Sequence, residues 1–261
     1  MKINKIIFAI TCSAMLLSAC DEVSEGDRLD YVKPADAKRA VLVEDFTGQR
    51  CINCPNATQT IAELQEQYGE ENVIAVAIHG GNFGIYEAQN GLATNEAKAY
   101  YERWKVEGQP VGLINRKSGL AIFETWTTLV SQQLQQTTPL SIDVLSAGYN
   151  SDSTQINVDV ELLSAEPMTA KLQLWLLEDS IVARQFLPDG SSTKDYVHNH
   201  VFRKSINGTW GTDVTLGENT LTERFTTDVN PKYNKQNLSV VAFVYTDADG
   251  VYQARKTHVG E

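Results

Sequence analysis

Apolar residues along this chain follow two different periods, and the change falls near residue 138. Before it, dense apolar runs alternate with stretches spaced by three and four residues, the signatures of buried strands and amphipathic helices. Ala40 to Phe46 is β-branched and apolar apart from two acids and predicts a buried strand. Ala57, Ile61, Leu64 and Tyr68 follow at helical spacing, and Gly69 ends the run. Val73 to Ile78 predicts a second buried strand. Asn95 to Trp104 reads as a helix with Ala97, Tyr100, Tyr101 and Trp104 on one face. Val111 to Asn115 is a strand, Leu120 to Phe123 a short apolar piece after Gly119, and Glu124 to Gln136 a helix through Trp126, Leu129, Val130 and Leu134. The order β-α-β-α-β-β-α predicts an α/β domain over residues 40–137.

After Thr137-Thr138-Pro139 the apolar residues alternate with polar ones, as in strands with one face buried. Leu140, Ile142 and Val144 share a face, as do Ile156, Val158, Val160 and Leu162, then Leu172, Leu174 and Leu176, and finally Val240, Ala242 and Val244. Tyr252 to Lys256 pairs across an Asp249-Gly250 turn, a strong hairpin signal. Tyr196 to Ile206 and Leu221 to Thr227 supply further strands. About seven short strands predict an all-β, immunoglobulin-like sandwich over residues 138–261, without the paired cysteines of antibody domains.

The N-terminus changes the cellular picture. Lys2 and Lys5 precede an apolar run from Ile6 to Leu17 and the small residues Ser18 and Ala19, which is the form of a secretory signal. The run is too short to stay as a spanning helix. Leu17-Ser18-Ala19-Cys20 resembles a bacterial lipobox, so residues 1–19 are expected to be removed and Cys20 acylated. Residues 20–39 begin with an acidic stretch poor in bulky apolar residues and read as a solvated tether. The whole chain carries a net charge of −11; losing the two signal lysines makes it −11 − 2 = −13, which argues against nucleic acid or a basic membrane patch. Of four cysteines, Cys12 leaves with the signal and Cys20 takes the lipid. Cys51 and Cys54 remain, in a compartment that permits disulfides.

Cys51-Ile52-Asn53-Cys54-Pro55 stands where the first strand turns into the first helix, and C-x-x-C at such a junction is a thiol–disulfide redox motif. Cys51 at the helix N-terminus beside Arg50 has reason to ionise, since backbone N–H groups and a cation both favour thiolate. It is the expected attacking sulfur, with Cys54 resolving the mixed disulfide. A purely structural bridge is the alternative, although closing so short a loop contributes only about 2 kcal/mol. A third reading joins the two cysteines to His198 and His200, which share a strand face, as zinc ligands. His79, before Gly80-Gly81, reads as the cap of a turn, with a site residue at a strand end as the alternative. Pro55 stands where a c-type haem motif needs histidine.

Three features, taken in order, resemble thioredoxin-like domains. They are the C-x-x-C, Asp45 six residues before Cys51, and the loop Gly108-Gln109-Pro110-Val111. The resemblance implies that Asp45 is a buried proton acceptor beneath Cys54, and that Pro110 is cis and offers a backbone edge to an extended substrate. Arg50 in place of tryptophan, Ile52-Asn53 in place of Gly-Pro, and no lysine from Asn72 to His79 depart from that family. The lipobox, the T-G-x-x-C-x-x-C-P segment from Thr47 to Pro55 and His198-Asn199-His200-Val201 together resemble the Omp28-related outer-membrane lipoproteins. The expectation is a lipid-anchored cell-envelope protein, in the outer membrane, that exchanges disulfides with cysteine-containing proteins or peptides. It is reset by a redox partner and needs no cofactor. The rival is a non-catalytic surface lipoprotein, a binding or adhesion scaffold with a structural Cys51–Cys54 bridge.

Overall fold

The computed structural model describes residues 37–260; the expected signal peptide, Cys20 and the tether up to residue 36 lie outside them. The first half runs β1 (Ala37–Lys38), β2 (Val41–Thr47), α1 (Cys54–Tyr68), β3 (Val73–His79), α2 (Ala97–Trp104), β4 (Val111–Ile114), β5 (Ala121–Ile122), α3 (Trp126–Leu134) and β6 (Thr137–Thr138). Every position of β2 is buried, because helices cover both faces of the sheet. Val41 and Val43 meet the apolar stripes of α1 and α3 through Ala57, Ile61, Leu64, Trp126 and Val130. Leu42 and Phe46 point the other way, towards Tyr100 and Tyr101 of α2. β2 runs parallel to β3 and antiparallel to β4. No helix among the described residues is long and apolar enough to cross a membrane.

The second half adds β7 (Leu140–Tyr149), β8 (Gln155–Ser164), β9 (Met168–Glu178), β10 (Ile181–Phe186), β11 (Ser192–His198), β12 (Val201–Ser205), β13 (Thr212–Leu216), β14 (Leu221–Asp228), β15 (Leu238–Thr246) and β16 (Gly250–His258). A three-stranded sheet, β14-β8-β7, packs its alternate residues on Leu172, Leu174 and Leu176 of β9 and on Val240, Ala242 and Val244 of β15. The second half is thus rich in β-strands, with two sheets face to face across an apolar core.

The expected division at residue 138 is crossed by a single sheet, ordered β16-β15-β9-β12-β3-β2-β4-β5, with β13 also on β9. β12 makes the join. It lies antiparallel to β9 through Phe202↔Leu177 and parallel to β3 through Val201↔Ala77. The described residues accordingly form one compact unit. The reason is visible in β9 and β15, whose second faces are apolar too. Trp175, Leu177, Val241, Phe243 and Tyr245 enter the core under α2, and a strand buried on both faces reads as a continuous apolar run.

The single strand expected from Tyr196 to Ile206 is also divided. His200 takes a left-handed φ of +58°, which turns the chain and separates β11 from β12. β10 and β11 therefore stand apart as a two-stranded hairpin, paired from Ile181↔His198 to Phe186↔Ser192.

A buried ion pair within the first half packs against the second. The Arg116 guanidinium donates to Glu44 at 2.6 and 3.2 Å and lies over the rings of Tyr245 and Phe243, 4.5 and 5.0 Å from their centroids. Burial, the largest single influence, would lower the Arg116 pKa; the Glu44 charge and hydrogen bonding, with Tyr245 and Tyr100, together outweigh it and raise it. Beside the pair, the Val251 N–H donates to the Asn115 carbonyl at 2.8 Å.

Candidate functional site

β2 ends at Thr47, the chain turns through Gly48 to Asn53, and α1 starts at Cys54 with Pro55 in its first turn, where a missing N–H costs nothing. Gly48 is required by close approach, since a Cβ there would stand 2.6 Å from the Phe83 backbone. The Arg50 N–H donates to the Phe83 carbonyl at 2.9 Å. Cys51 and Cys54 are bonded to each other, with their Cα atoms 5.4 Å apart.

The sulfurs are not at the surface. Cys51 is 3% exposed and Cys54 2%, which differs from the open helix tip that the sequence suggested for Cys51. The cover is the β10–β11 hairpin, which lies along the turn like an added peptide. The Phe186 N–H donates to the Gln49 carbonyl at 2.9 Å, Gln49 Nε2 donates to the Arg184 carbonyl at 3.0 Å, and Gln185 Nε2 donates to the Cys51 carbonyl at 2.9 Å. A bulge between Ala183 and Gln185 turns that glutamine inward. Gln49 also accepts the Leu92 N–H at 2.9 Å. Gln49 and Gln185 thus hold the cover down, and no spacing or motif marks either residue in the sequence. The Arg50 side chain reaches the Gly84 carbonyl at 3.4 Å.

Asp45 lies inside. It is 1% exposed, its Oδ1 has no hydrogen-bond partner, and burial pushes its pKa up to about 8. It shares with Cys54 and Thr58 the wall of a cavity of about 20 Å³. On its other side opens a groove of about 550 Å³ between α1 and the Asn199–His200 turn, lined also by Gln65 and Asp179. Neither sulfur lines that groove. The Gln109–Pro110 peptide is cis. The Gln109 side chain ties this loop to the end of β2 by donating to the Thr47 carbonyl and the Tyr101 hydroxyl, each at 2.5 Å.

The histidines are sorted differently from the sequence pattern. The rings of His79 and His198 meet edge to face, 5.3 Å between centroids, and line the same small cavity as Cys54. Burial, then the neighbouring His198, holds His79 well below the usual imidazole range; burial lowers His198 to about 4. His200 leaves on the far side of its turn, where its Nδ1 is 3.1 Å from Asp179 and its Nε2 3.2 Å from Gln65. The proposed joining of His198 and His200 to the cysteines therefore fails: the left-handed turn at His200 puts the two rings in different surroundings. Among the described residues no three His, Cys, Asp or Glu side chains stand in metal-holding geometry.

Residues 97–261 match the family model described as Outer membrane protein Omp28; the match starts at α2 and leaves out Cys51 and Cys54. No curated protein matches the chain significantly. Among solved structures, HBP35 of Porphyromonas gingivalis superposes with a TM-score of 0.65 at 15% identity, over 86% of this chain and 76% of that one. At that identity the likeness is one of fold. A β-glucosidase from Kluyveromyces marxianus overlaps 48% of this chain and 14% of its own at 9% identity, with a TM-score of 0.27, too low to carry an argument.

Proposed function

The chain belongs to the outer membrane protein Omp28 family, and from that premise we propose that it is a lipid-anchored envelope protein with a guarded disulfide. Cys20 carries the anchor, and Cys51–Cys54 exchanges with cysteines of protein or peptide partners when the β10–β11 hairpin lifts. A thioredoxin-like reading of the first half is supported by the strand order β3-β2-β4-β5, by α1 and α3 on one face with α2 on the other, and by the bridge at the β2–α1 junction.

Lifting the hairpin breaks the three hydrogen bonds to Gln49 and Cys51, each contributing about 1 kcal/mol. Opening then costs about 3 kcal/mol, which leaves on the order of one molecule in a hundred open. An isolated two-stranded hairpin has little stability of its own, so it is suited to move. In the open form a partner thiolate attacks the Cys51 sulfur and the Cys54 sulfur departs with the bonding pair. Asp45, protonated up to about pH 8, supplies the proton that Cys54 takes. A second partner thiol completes the two-electron exchange.

The observation that carries this reading is Asp45: a buried carboxyl, its Oδ1 without a hydrogen-bond partner, on the cavity wall shared with Cys54. Leaving a buried polar group unpaired costs a few kcal/mol, a cost that a structural bridge gives no reason to retain. Cys54→Ser is expected to capture envelope proteins as mixed disulfides through Cys51. Gln185→Ala, which removes the Nε2 donation to the Cys51 carbonyl and a longer one to Gly48, is expected to speed reduction of the wild-type bridge by dithiothreitol at least about fivefold. A second reading, a non-catalytic scaffold for binding or adhesion, is favoured by the burial of both sulfurs. It is the one left standing if Cys54→Ser captures nothing and Gln185→Ala leaves the reduction rate unchanged.

A further inference from the structure

We propose that opening the Cys51–Cys54 bridge completes a buried metal site of the zinc type, with both cysteine sulfurs, His79 Nδ1 and His198 Nε2 as ligands. The two nitrogens are the starting observation. Each is buried, and neither has a hydrogen-bond partner. His79 and His198 are 3% and 5% exposed, respectively. They arrive from different elements, the end of β3 and the end of β11, yet both line the cavity that Cys54 lines.

The backbone of Ala77 lies beside the His79 ring and that of Ala183 and Arg184 beside the His198 ring. A metal-ligating histidine commonly turns its other ring nitrogen to such a partner, which fixes the tautomer and aims the remaining lone pair. Two lone pairs alone make a poor site; no group of three such side chains stands ready among the described residues, and the sulfurs are bonded to each other, with Cys54 the one that lines the cavity. Two thiolates added to two imidazoles give the Cys₂His₂ set of tetrahedral zinc.

The chemistry balances with a dithiol as reductant. Its two thiols pass two electrons to the Cys51–Cys54 bond and leave as a disulfide; the bridge becomes two thiols. The divalent metal then displaces both thiol protons to solvent. Once bound, the metal withholds the sulfurs from re-oxidation, so the site and the bridge exclude one another.

The inference rests on the exchange reading only in that the bridge opens, and a phosphine reductant opens it here without any protein partner. The full chain, reduced and then titrated with Co²⁺, is expected to bind one equivalent. The expected signature is a thiolate-to-cobalt charge-transfer band and the strong visible bands of tetrahedral cobalt; the oxidised chain should show neither. His79→Asn and His198→Asn should each weaken binding by more than the 10–100-fold typical of losing an outer-shell partner, while His200→Asn leaves it unchanged. Cys51→Ser retains Cys54 and both histidines, and should bind Co²⁺ more weakly with no reductant at all. Lack of uptake by both the reduced chain and Cys51→Ser overturns the site and means the lone pairs are met by internal water. Equal uptake by the oxidised chain, or uptake indifferent to His79→Asn and His198→Asn, overturns it as well. Mixed-disulfide capture by Cys54→Ser is read separately, so either proposal can fail alone.

Discussion

Asp45→Asn is expected to stabilise the chain at pH 8 by about 3–5 kcal/mol, and to abolish a loss of stability that the natural chain suffers between pH 6.5 and 8. The direction follows from proton counting. Asp45 has a pKa of about 8 when folded against an ordinary 3.8, so between those values the folded chain holds a proton that the unfolded chain has lost. Stability then falls as pH rises, by about 1.36 kcal/mol per unit. His79 and His198 act oppositely. Folding lowers both from 6.5, His198 to about 4, so below 6.5 the unfolded chain holds two protons that the folded chain lacks, and stability rises with pH. The rising histidine contributions end as pH passes 6.5, while the falling contribution of Asp45 continues to about 8. Stability therefore peaks near pH 6.5 and declines by about 2 kcal/mol at pH 8. The amide does not ionise, so Asp45→Asn gives a plateau above 6.5, although burying the amide offsets part of the gain. Urea unfolding at pH 6.5 and pH 8 measures both curves. A natural chain equally stable at both values would show that Asp45 is not held protonated. Proton transfer to Cys54 is lost in the same variant, so its thiol exchange should fall by about a hundredfold while its stability rises.

Arg116→Met is expected to destabilise the chain by about 3–5 kcal/mol at pH 7, the typical result of stranding one member of a buried ion pair. Glu44 is fully buried, and burial raises its carboxyl pKa before the opposing effect of Arg116 is counted. Without the guanidinium, Glu44 must either protonate or stay charged in an apolar core. The long apolar methionine keeps much of the packing against Phe243 and Tyr245, so the loss reports the charge. Adding Glu44→Gln should restore most of the stability, because an amide needs no counter-charge. Arg116 joins the β4–β5 turn to β2 and to the far strand β15, so urea unfolding followed in both halves should remain a single transition, shifted to lower denaturant. A double variant no more stable than Arg116→Met would show that packing, not charge, sets the effect.

The elements of the first half were legible because their apolar residues recur at helical or strand periods, and local spacing is what creates those faces. Cys51, Cys54, Asp45 and Pro110 were singled out by the order in which they stand along the chain; the structure bonds the two cysteines, buries Asp45 and makes Gln109–Pro110 cis. The cover on the bridge was not. Gln49 and Gln185 lie 136 positions apart, and only the bulge in β10 turns the second of them towards Cys51. The mispairing of His198 with His200 has a similar origin. Residues two apart share a face only if the strand continues, and the left-handed φ at His200 ends it. The shared sheet had a signal that alternation concealed: Leu174-Trp175-Leu176-Leu177 and Val240 to Tyr245 are apolar on both faces.

The sequence by itself determined the helices and main strands of the first half, the alternating strands of the second apart from β10, β13 and the break between β11 and β12, the acidic charge, and a C-x-x-C at a strand–helix junction, all of them consequences of near neighbours. Only the tertiary structure decided that one sheet runs through both halves, that a hairpin closes over the bridge, and that His79 rather than His200 joins His198 beside it. Those outcomes depend on which distant strand β12 pairs with and where one residue turns left-handed, and such long-range choices are made by packing of the whole chain rather than by any local pattern.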